Sequence, residues 1–579
     1  MLASFVGHGL LLGQTSNWMA SWLTPIWVLS IGLLLGAGLL VAVLGMLSAL
    51  SFTPLGKIAD SSGLARTVSV VLGGVIGAIL CSIFVPQSID SGQMLILPLI
   101  TFAMAISFAI IYGMWHRTRS ELVSMLQEGV VPYLLGTAAA FAVVGLVATP
   151  LVAEPRQVLG SILQVNLFSD GTERIIRTLD AAPTDLANPD DAEFQKVPMD
   201  YVMFNVAELT LTTDRTIIIA DAQNPADFVM PPVRVNAGET VRYVREGMDP
   251  PPLSIDPSRV FMQNREVDPA TVTVTMTTRP TIPEASSIVT TALSFLALFM
   301  TYMALRQAAP RISAVALATA KSEMAQPLYL LLLALGLFLV ALFTVLPFYT
   351  LGEDIRMMKE NGAKVIMVLG MLQAVWSAGT SVSDEIEGRT ALTVLSKPIS
   401  RGSFLLGKYM GIMLTVLVMF VIIGAFFMLV LSYKPIYDAR ENSQEMPAWT
   451  VGHEELMSTV PALVLNFMET MAIGGIAVAM ATRIPLLANF IVCFVIYVIG
   501  NMTAPLVRST IGENELVGFV GKLIAVVIPN LNTFDVQSAM DAGNPIPAIY
   551  LAGAFNYLFF FSVMIMMLAL LMFEERDLA

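Results

Sequence analysis

Charge is scarce in this 579-residue chain: Asp, Glu, Lys and Arg make up 13% of it, where an average soluble domain carries roughly a quarter. Basic charge is scarcer than acidic, with 31 Lys+Arg against 44 Asp+Glu and a formal net charge of −13, which excludes a basic nucleic-acid-binding surface. Cysteine is nearly absent. Cys81 and Cys493 lie inside separate apolar runs, which excludes a disulfide framework and a cysteine metal site. Histidine is limited to His8, His116 and His453, too few and too scattered for a histidine-based metal centre. No charged residue precedes Lys57, so the basic stretch of a cleavable signal peptide is missing and the first apolar helix is expected to be permanent.

What the chain has is apolar residue, 56% of the total, with a mean hydropathy of +0.75. A membrane span needs about 20 mostly apolar residues. Eleven runs qualify: Leu23 to Leu50, Thr67 to Pro86, Met94 to Trp115, Val130 to Val152, Ala285 to Leu305, Leu328 to Tyr349, Ala363 to Ser383, Tyr409 to Ser432, Thr459 to Thr482, Ile484 to Val507 and Ala548 to Phe573. The expected fold is therefore an α-helical polytopic membrane protein. Lys and Arg in short loops set orientation because they resist translocation. With the N-terminus outside, 13 of them fall on the cytoplasmic side and 7 on the other, so the expected topology is N-out and C-in. Trp18, Trp22 and Trp27 then stand at the outer interface, where amphipathic rings meet lipid.

One polar segment interrupts the apolar chain. Residues 153–284 hold 11 basic and 20 acidic side chains, and 14 of the 32 prolines. Within it Val272, Val274 and Met276 alternate with threonines, and Leu163, Val165 and Leu167 alternate with Gln164 and Asn166. That period of two marks half-buried strands, and the turn-rich spacing predicts an inserted extracytoplasmic β-rich, sandwich-like domain. Thr178 to Pro198, acidic and proline-rich, reads as a solvated loop. The expected organisation is a four-span N-terminal membrane module (1–152), the β-rich domain (153–284), a fifth span with a linker (285–310) and a six-span region (311–579).

Two motifs imitate catalytic ones. Gly402 to Lys408 has the spacing of a phosphate-binding loop, but Tyr409 replaces the Ser or Thr that holds magnesium and a span follows at once. His453-Glu454-Glu455-Leu456-Met457 falls one histidine short of a zinc-protease helix. The 35 methionines are dispersed, which suits core filling better than copper binding. No catalytic residue, metal site or cofactor is expected in this chain. Glu469 is different. It stands about eleven residues into the ninth span, where a charged group costs roughly 2.5 to 3.5 kcal/mol. Glu469 and Asn466, one turn apart and able to share a hydrogen bond, are candidate translocation-path residues.

The most informative stretch is SVSDEIEGRTALTVLSKPISRGSFLLGKYMG, residues 381–411. Asp384, Glu385 and Glu387 stand at the start of a predicted short helix, Ile386 to Leu395, and Lys397-Pro398 ends it, an order of charge that suits the helix dipole. The acidic group, Glu387-Gly388-Arg389-Thr390, the Leu-Ser-Lys-Pro-Ile-Ser-Arg run and Phe-Leu-Leu-Gly-Lys entering a span resemble the cytoplasmic loop of ABC-2 type transporter permeases. Residues 311–326 resemble that family's amphipathic elbow, Ile528-Pro529-Asn530 and Phe534 resemble its irregular outer segment before the last span, and the Glu-Glu-Arg-Asp-Leu tail is similar to its short charged tail.

The resemblance covers about residues 311–579 and implies a permease subunit of an ATP-driven transporter, an exporter in the plasma (inner) membrane. It further implies a second permease copy and cytosolic ATP-binding subunits that hold ATP and Mg. In that reading the 384–408 loop is the coupling element. Asp384, Glu385, Glu387, Gly388, Arg389, Thr390 and Pro398 meet the ATPase, and Arg401 and Lys408 anchor the loop at the membrane interface. No cytoplasmic stretch exceeds about 25 residues, too short for a nucleotide-binding domain, so the ATPase is a separate chain. The N-terminal module and the outer domain depart from the six-span pattern. Two other readings compete: a membrane-anchored extracytoplasmic binding protein, and a membrane-bound lipid- or glycan-modifying enzyme using acids such as Asp190 and Asp191.

Overall fold

A computed structural model describes residues 17–54, 56–85, 90–115, 121, 124–162, 171–182, 193–199, 201, 203–245, 251–254, 256–280, 282–346, 354–387, 400–509, 528–535 and 546–575. The chain divides into two compact units, Met1–Ala153 with Thr290–Ala579, and Glu154–Val289.

The larger unit is helical. Its N-terminal part has α1 (Asn17–Leu50), α2 (Gly56–Asp60), α3 (Ser62–Phe84), α4 (Ile96–Gly113) and α5 (Val131–Ala148). The smaller unit opens with α6 (Pro155–Ile162); after it come α7 (Ser286–Ala308), α8 (Pro310–Met324), α9 (Pro327–Val345), α10 (Asp354–Ala378), the short α11 (Asp384–Glu387), α12 (Arg401–Glu441), α13 (Trp449–Ala481), α14 (Leu486–Ser509) and α15 (Ala548–Glu574). Ten of the described helices are long and apolar enough to cross a membrane, and Leu486–Met502 is a shorter apolar helix in the place of the remaining expected span. The fold is mostly helical with a small β region, consistent with a helical polytopic protein.

Local chemistry explains the breaks. Pro310 and Pro327 each open a helix at its first turn, where a missing N–H costs nothing. Pro327 also prevents α8 from continuing, so α8 and α9 meet at a bend around Ala325 and Gln326. Along α8 the residues Val315, Ala316, Thr319, Ala320, Glu323 and Met324 are buried, a stripe at helical spacing.

Two expectations about the helices are corrected. The eighth span does not end at Ser432: α12 runs 41 residues to Glu441. Its terminal charges are satisfied within the protein, since Lys434 pairs with Asp438 at 2.7 Å and the Arg440 guanidinium lies 4.6 Å from the Trp18 ring centroid. Trp27 is not an interfacial residue. It is 2% exposed and donates Nε1–H to Thr149 Oγ1 at 3.2 Å, while Trp22 donates to the Leu429 carbonyl at 3.1 Å. Ser30 approaches α5 so closely, with Oγ donating to the Phe141 carbonyl, that a Cβ at Gly145 would come within 2.2 Å of that oxygen. These tryptophans bind α1 to α5 and α12.

The smaller unit contains two four-stranded antiparallel sheets, ordered β1-β8-β3-β6 and β2-β7-β4-β5. The strands are β1 (Gly171–Leu179), β2 (Gln195–Lys196), β3 (Val206–Thr213), β4 (Ile217–Ala220), β5 (Val233–Val235), β6 (Thr240–Val244), β7 (Phe261–Asn264) and β8 (Ala270–Thr278). Ala270, Val272, Val274 and Met276 turn inward from β8 and the threonines between them are more exposed, as the alternation predicts. Their core partners include Leu209, Leu211, Ile217, Val235 and Met262. The strand expected from Ile162 to Phe168 is corrected at its first residue, because Ile162 ends α6; residues 163–170 lie outside the described set. The stretch Thr178–Pro198 is likewise not loop throughout: Thr178 and Leu179 finish β1, and Gln195–Lys196 forms β2 against β7. Leu211→Ala, which removes three side-chain carbons from this buried core, is expected to destabilise the domain by about 3 kcal/mol, measured as a lower midpoint of thermal proteolysis in the full chain.

One charged clip joins the two sheets. Arg215 bridges Glu266 at 3.1 Å and Asp268 at 3.0 Å, and the Thr216 N–H donates to Glu266 Oε1 at 3.0 Å. That N–H and the guanidinium hold the Glu266 carboxyl below its ordinary range. A lowered carboxyl stabilises the fold above the unfolded-state value and loses that contribution as pH falls through the folded one. Acidification through the carboxylate range is therefore expected to loosen the β3–β4 corner, and Glu266→Gln to flatten that part of the pH–stability curve in thermal melts.

Candidate functional site

Of the residues singled out in the sequence, Glu385, Arg401 and Lys408 lie at one end of the larger unit, where α10 ends and α12 begins, while Glu469 and Asn466 lie well inside α13. After Ala378 the helix widens into a π-helical turn, Gly379–Ser383. Such turns insert one residue, free backbone groups and occur often at functional positions. Ser383 Oγ donates to the Ile484 carbonyl at 3.3 Å, fastening this turn to the α13–α14 connection. α11 follows directly, so Asp384, Glu385 and Glu387 leave the bundle on a helical turn.

Here the structure corrects the role assigned to Lys408. The sequence places it at a lipid interface, whereas Lys408 is 6% exposed and donates Nζ–H to Glu385 Oε1 at 2.6 Å, with Nζ 5.5 Å from the Phe404 ring centroid. The start of the loop is thus tied by a buried ion pair to the helix that follows the loop. Glu385, two residues before the end of α11, and Lys408, two turns into α12, were both visible in the sequence; their pairing was not, because 23 residues separate them.

Glycines at 407 and 411 seat α8 on α12. A Cβ at Gly407 would lie 2.7 Å from Val315 Cβ, and one at Gly411 only 2.5 Å from the Ala316 carbonyl oxygen. Gly407, the second glycine of the spacing that imitates a phosphate loop, forms with Gly411 a small-xxx-small packing face in the first turns of α12. Arg401, expected at the membrane interface, bonds to protein: Nη1 donates to the Glu574 carbonyl at 3.1 Å, and its guanidinium stands 5.8 Å from the Phe573 ring, at the C-terminal end of α15 where a cation suits the dipole.

A buried polar network joins the elbow to the π-helical turn. Thr380 Oγ1 donates to Glu323 Oε2 at 3.3 Å, Gln326 Nε2 donates to Glu323 Oε1 at 3.0 Å, and Trp376 Nε1 donates to Gln326 Oε1 at 2.8 Å. Glu323 is 2% exposed and burial pushes its carboxyl up. Sequence reading missed Glu323, whose signal was an acid on the apolar stripe of an amphipathic helix.

Glu469 is 1% exposed on α13. Its hydrogen-bond partner is Asn501 on α14, whose Nδ2 donates to Glu469 Oε1 at 3.4 Å, so the expected bond with Asn466 is corrected. Asn466 is itself buried, but three residues along one helix set the two side chains on one face without aiming their polar atoms together. Asn501 in turn accepts at its carbonyl from Asn532 Nδ2 at 2.9 Å, in the irregular segment before α15.

Gly388, Arg389, Thr390 and Pro398 lie outside the described residues, as do Asp190 and Asp191, and the side chains of Asp384 and Glu387 do too. His453 packs edge-on against Trp449, and Glu455 pairs with Lys359 at 2.7 Å, so the near-zinc motif serves helix packing. Among the described residues no group of three metal-binding side chains converges. Compared with family models, curated proteins and solved structures, the chain matches none.

Proposed function

We propose that this chain is the membrane permease subunit of an ATP-driven transporter, working as an exporter with a second permease copy and a separate ATP-binding subunit that holds ATP and Mg. The observation that carries the reading is the construction around the 384–400 segment. Its first turn is clamped by the Glu385–Lys408 pair, α8 lies against the base of α12, and the π-helical turn is bonded to the α13–α14 connection. A push on that segment reaches α10, α12 and α13 without slack, since each tie is a short directional contact between rigid helices.

In this mechanism Asp384, Glu385, Glu387, Gly388, Arg389, Thr390 and Pro398 form the surface seated in the ATPase, which faces the cytoplasm, with the N-terminus outside and the C-terminus inside. Lys408 and Arg401 transmit the displacement to α12 and α15. Two global states with different fits to the ATP-bound partner are all the coupling requires. The β-rich domain, on the extracytoplasmic side, receives or hands on the cargo.

The first test is recovery of a nucleotide-binding subunit with the tagged full-length chain from its native membrane in mild detergent. Joint charge reversal, Glu387→Lys with Arg389→Glu, is expected to leave ATP hydrolysis in place and to lower transport about tenfold, in proteoliposomes assayed for both. A chain that elutes alone, from a preparation retaining other membrane complexes, defeats the reading.

A further inference from the structure

Glu469 is not fully accounted for by packing. Its Oε1 has the Asn501 amide, but Oε2 is buried and takes no hydrogen bond among the described residues. A carboxylate oxygen inside a helical bundle, shut off from water and without a donor, needs a proton or a cation to neutralise it. The charges around it are asymmetric. Lys364 on α10 and Asp535 in the segment before α15 both act on Glu469, and they pair with each other at 3.6 Å with side chains 36% and 31% exposed. Exposure therefore falls from about a third at that pair to 1% at Glu469.

Among the described residues, the other elements packed on α13 bring no charged side chain that acts on Glu469 beyond Lys364 and Asp535. α14 presents the Tyr497 ring and the Asn501 amide, α12 presents Tyr409, whose hydroxyl donates to the Met471 carbonyl at 3.2 Å, and α15 presents Tyr557, which accepts from the Asn530 N–H. α1 carries no ionisable side chain. Above the pair, at the end of the bundle where α10 starts and α12 finishes, polar groups continue: Lys359 with Glu455 and Ser458, and Lys434 with Asp438. By contrast, about 18 Å of helix separates Glu469 from the end of α13 at Ala481, and its residues Ala472 to Ala479 are buried and apolar or glycine.

We infer that Glu469 is a proton-exchange site, opened to water at one end of the bundle only, through the Lys364–Asp535 pair. In the exchange an O–H bond forms at Glu469 Oε2 with a proton taken from hydronium that enters beside Asp535, and the same bond breaks when the proton returns to water there. The Lys364–Asp535 pair stands at the entrance of this route, so a change at either residue is expected to alter how readily the site exchanges its proton. On this view a proton is taken up and released at the same face in each conformational cycle, so that protonation of Glu469 gates the cycle without carrying a proton across the bundle, a step independent of the ATP-driven one.

The test uses the full-length chain in sealed membrane vesicles, right-side-out and inverted, with pH varied on one side at a time. N,N′-dicyclohexylcarbodiimide partitions into lipid and reacts with protonated carboxyls, and peptide mass spectrometry reads the modified residue. The expected result is modification of Glu469 that falls about tenfold per pH unit above its midpoint and follows the pH of the face carrying Lys364 and Asp535. Asp535→Asn, remote from the reacting oxygen, is expected to shift that midpoint. A pH-dependent carboxyl C=O infrared band, present in the wild type and Glu469→Asp but absent in Glu469→Gln, gives the same answer without a reagent. Modification that ignores pH or follows the opposite face, or an infrared spectrum unchanged by Glu469→Gln in the folded protein, overturns the inference. Neither measurement needs an ATP-binding partner, so failure here and failure to recover that partner are separate results.

Discussion

Lys408→Met is expected to lower the stability of the helical unit by about 2 kcal/mol and to abolish any coupling through the 384–400 segment. Lysine 408 is buried, and its partner Glu385 keeps about a third of its side chain exposed, so the loss is less than that of a fully enclosed pair. Methionine retains the length of the stem and its packing on Phe404, which leaves the charge as the quantity changed. The companion change Glu385→Gln should by itself cost less, because its removal leaves an ammonium near the Phe404 ring, and the double variant should recover part of the loss. Thermal unfolding in detergent for all four proteins gives the coupling energy directly. An additive pair of changes would show that the contact contributes nothing.

Gly411→Ala is expected to destabilise by about 3 kcal/mol or more, the opposite of the usual gain when glycine leaves a helix interior. The new methyl would stand 2.5 Å from the Ala316 carbonyl oxygen and 2.7 Å from Thr319 Cβ, and the first of these belongs to a backbone that cannot rotate aside. α8 would have to lift from α12, loosening the Glu323–Thr380–Gln326 network behind it. Gly402→Ala is the control. Its methyl would meet nothing nearer than Leu570 at 3.9 Å, so the same chemical change, nine residues earlier on the same helix, should be neutral or stabilising by up to about 1 kcal/mol. Equal melting shifts for the two variants would contradict the packing assigned here.

Much of the architecture was legible in order. Apolar runs of 20 residues have few alternatives to spanning helices, and the threonine–valine alternation of residues 271–277 admits little but a half-buried strand. Legibility failed where a charge is satisfied at long range. Lys434 and Asp438 ended the predicted span because charges normally leave the apolar phase, yet their mutual pairing carries α12 another turn and more. Lys408 failed for the same reason, and Trp27 because an amphipathic ring near a span end suits lipid and protein equally well.

The sequence by itself determined the class of this protein, a multi-pass helical chain interrupted by one charged, proline-rich β domain, because hydropathy and periodicity are local properties that each segment carries alone. Only the tertiary structure decided what the polar residues inside that frame do. It made Gly407 of a false phosphate loop, with Gly411, into a helix seat, moved Lys408 from lipid to Glu385, added Glu323 to the site and gave Glu469 to Asn501 instead of Asn466. Each of these depends on which helices pack together, and a hydrogen bond or a close contact forms only when two separate faces meet at a few ångströms.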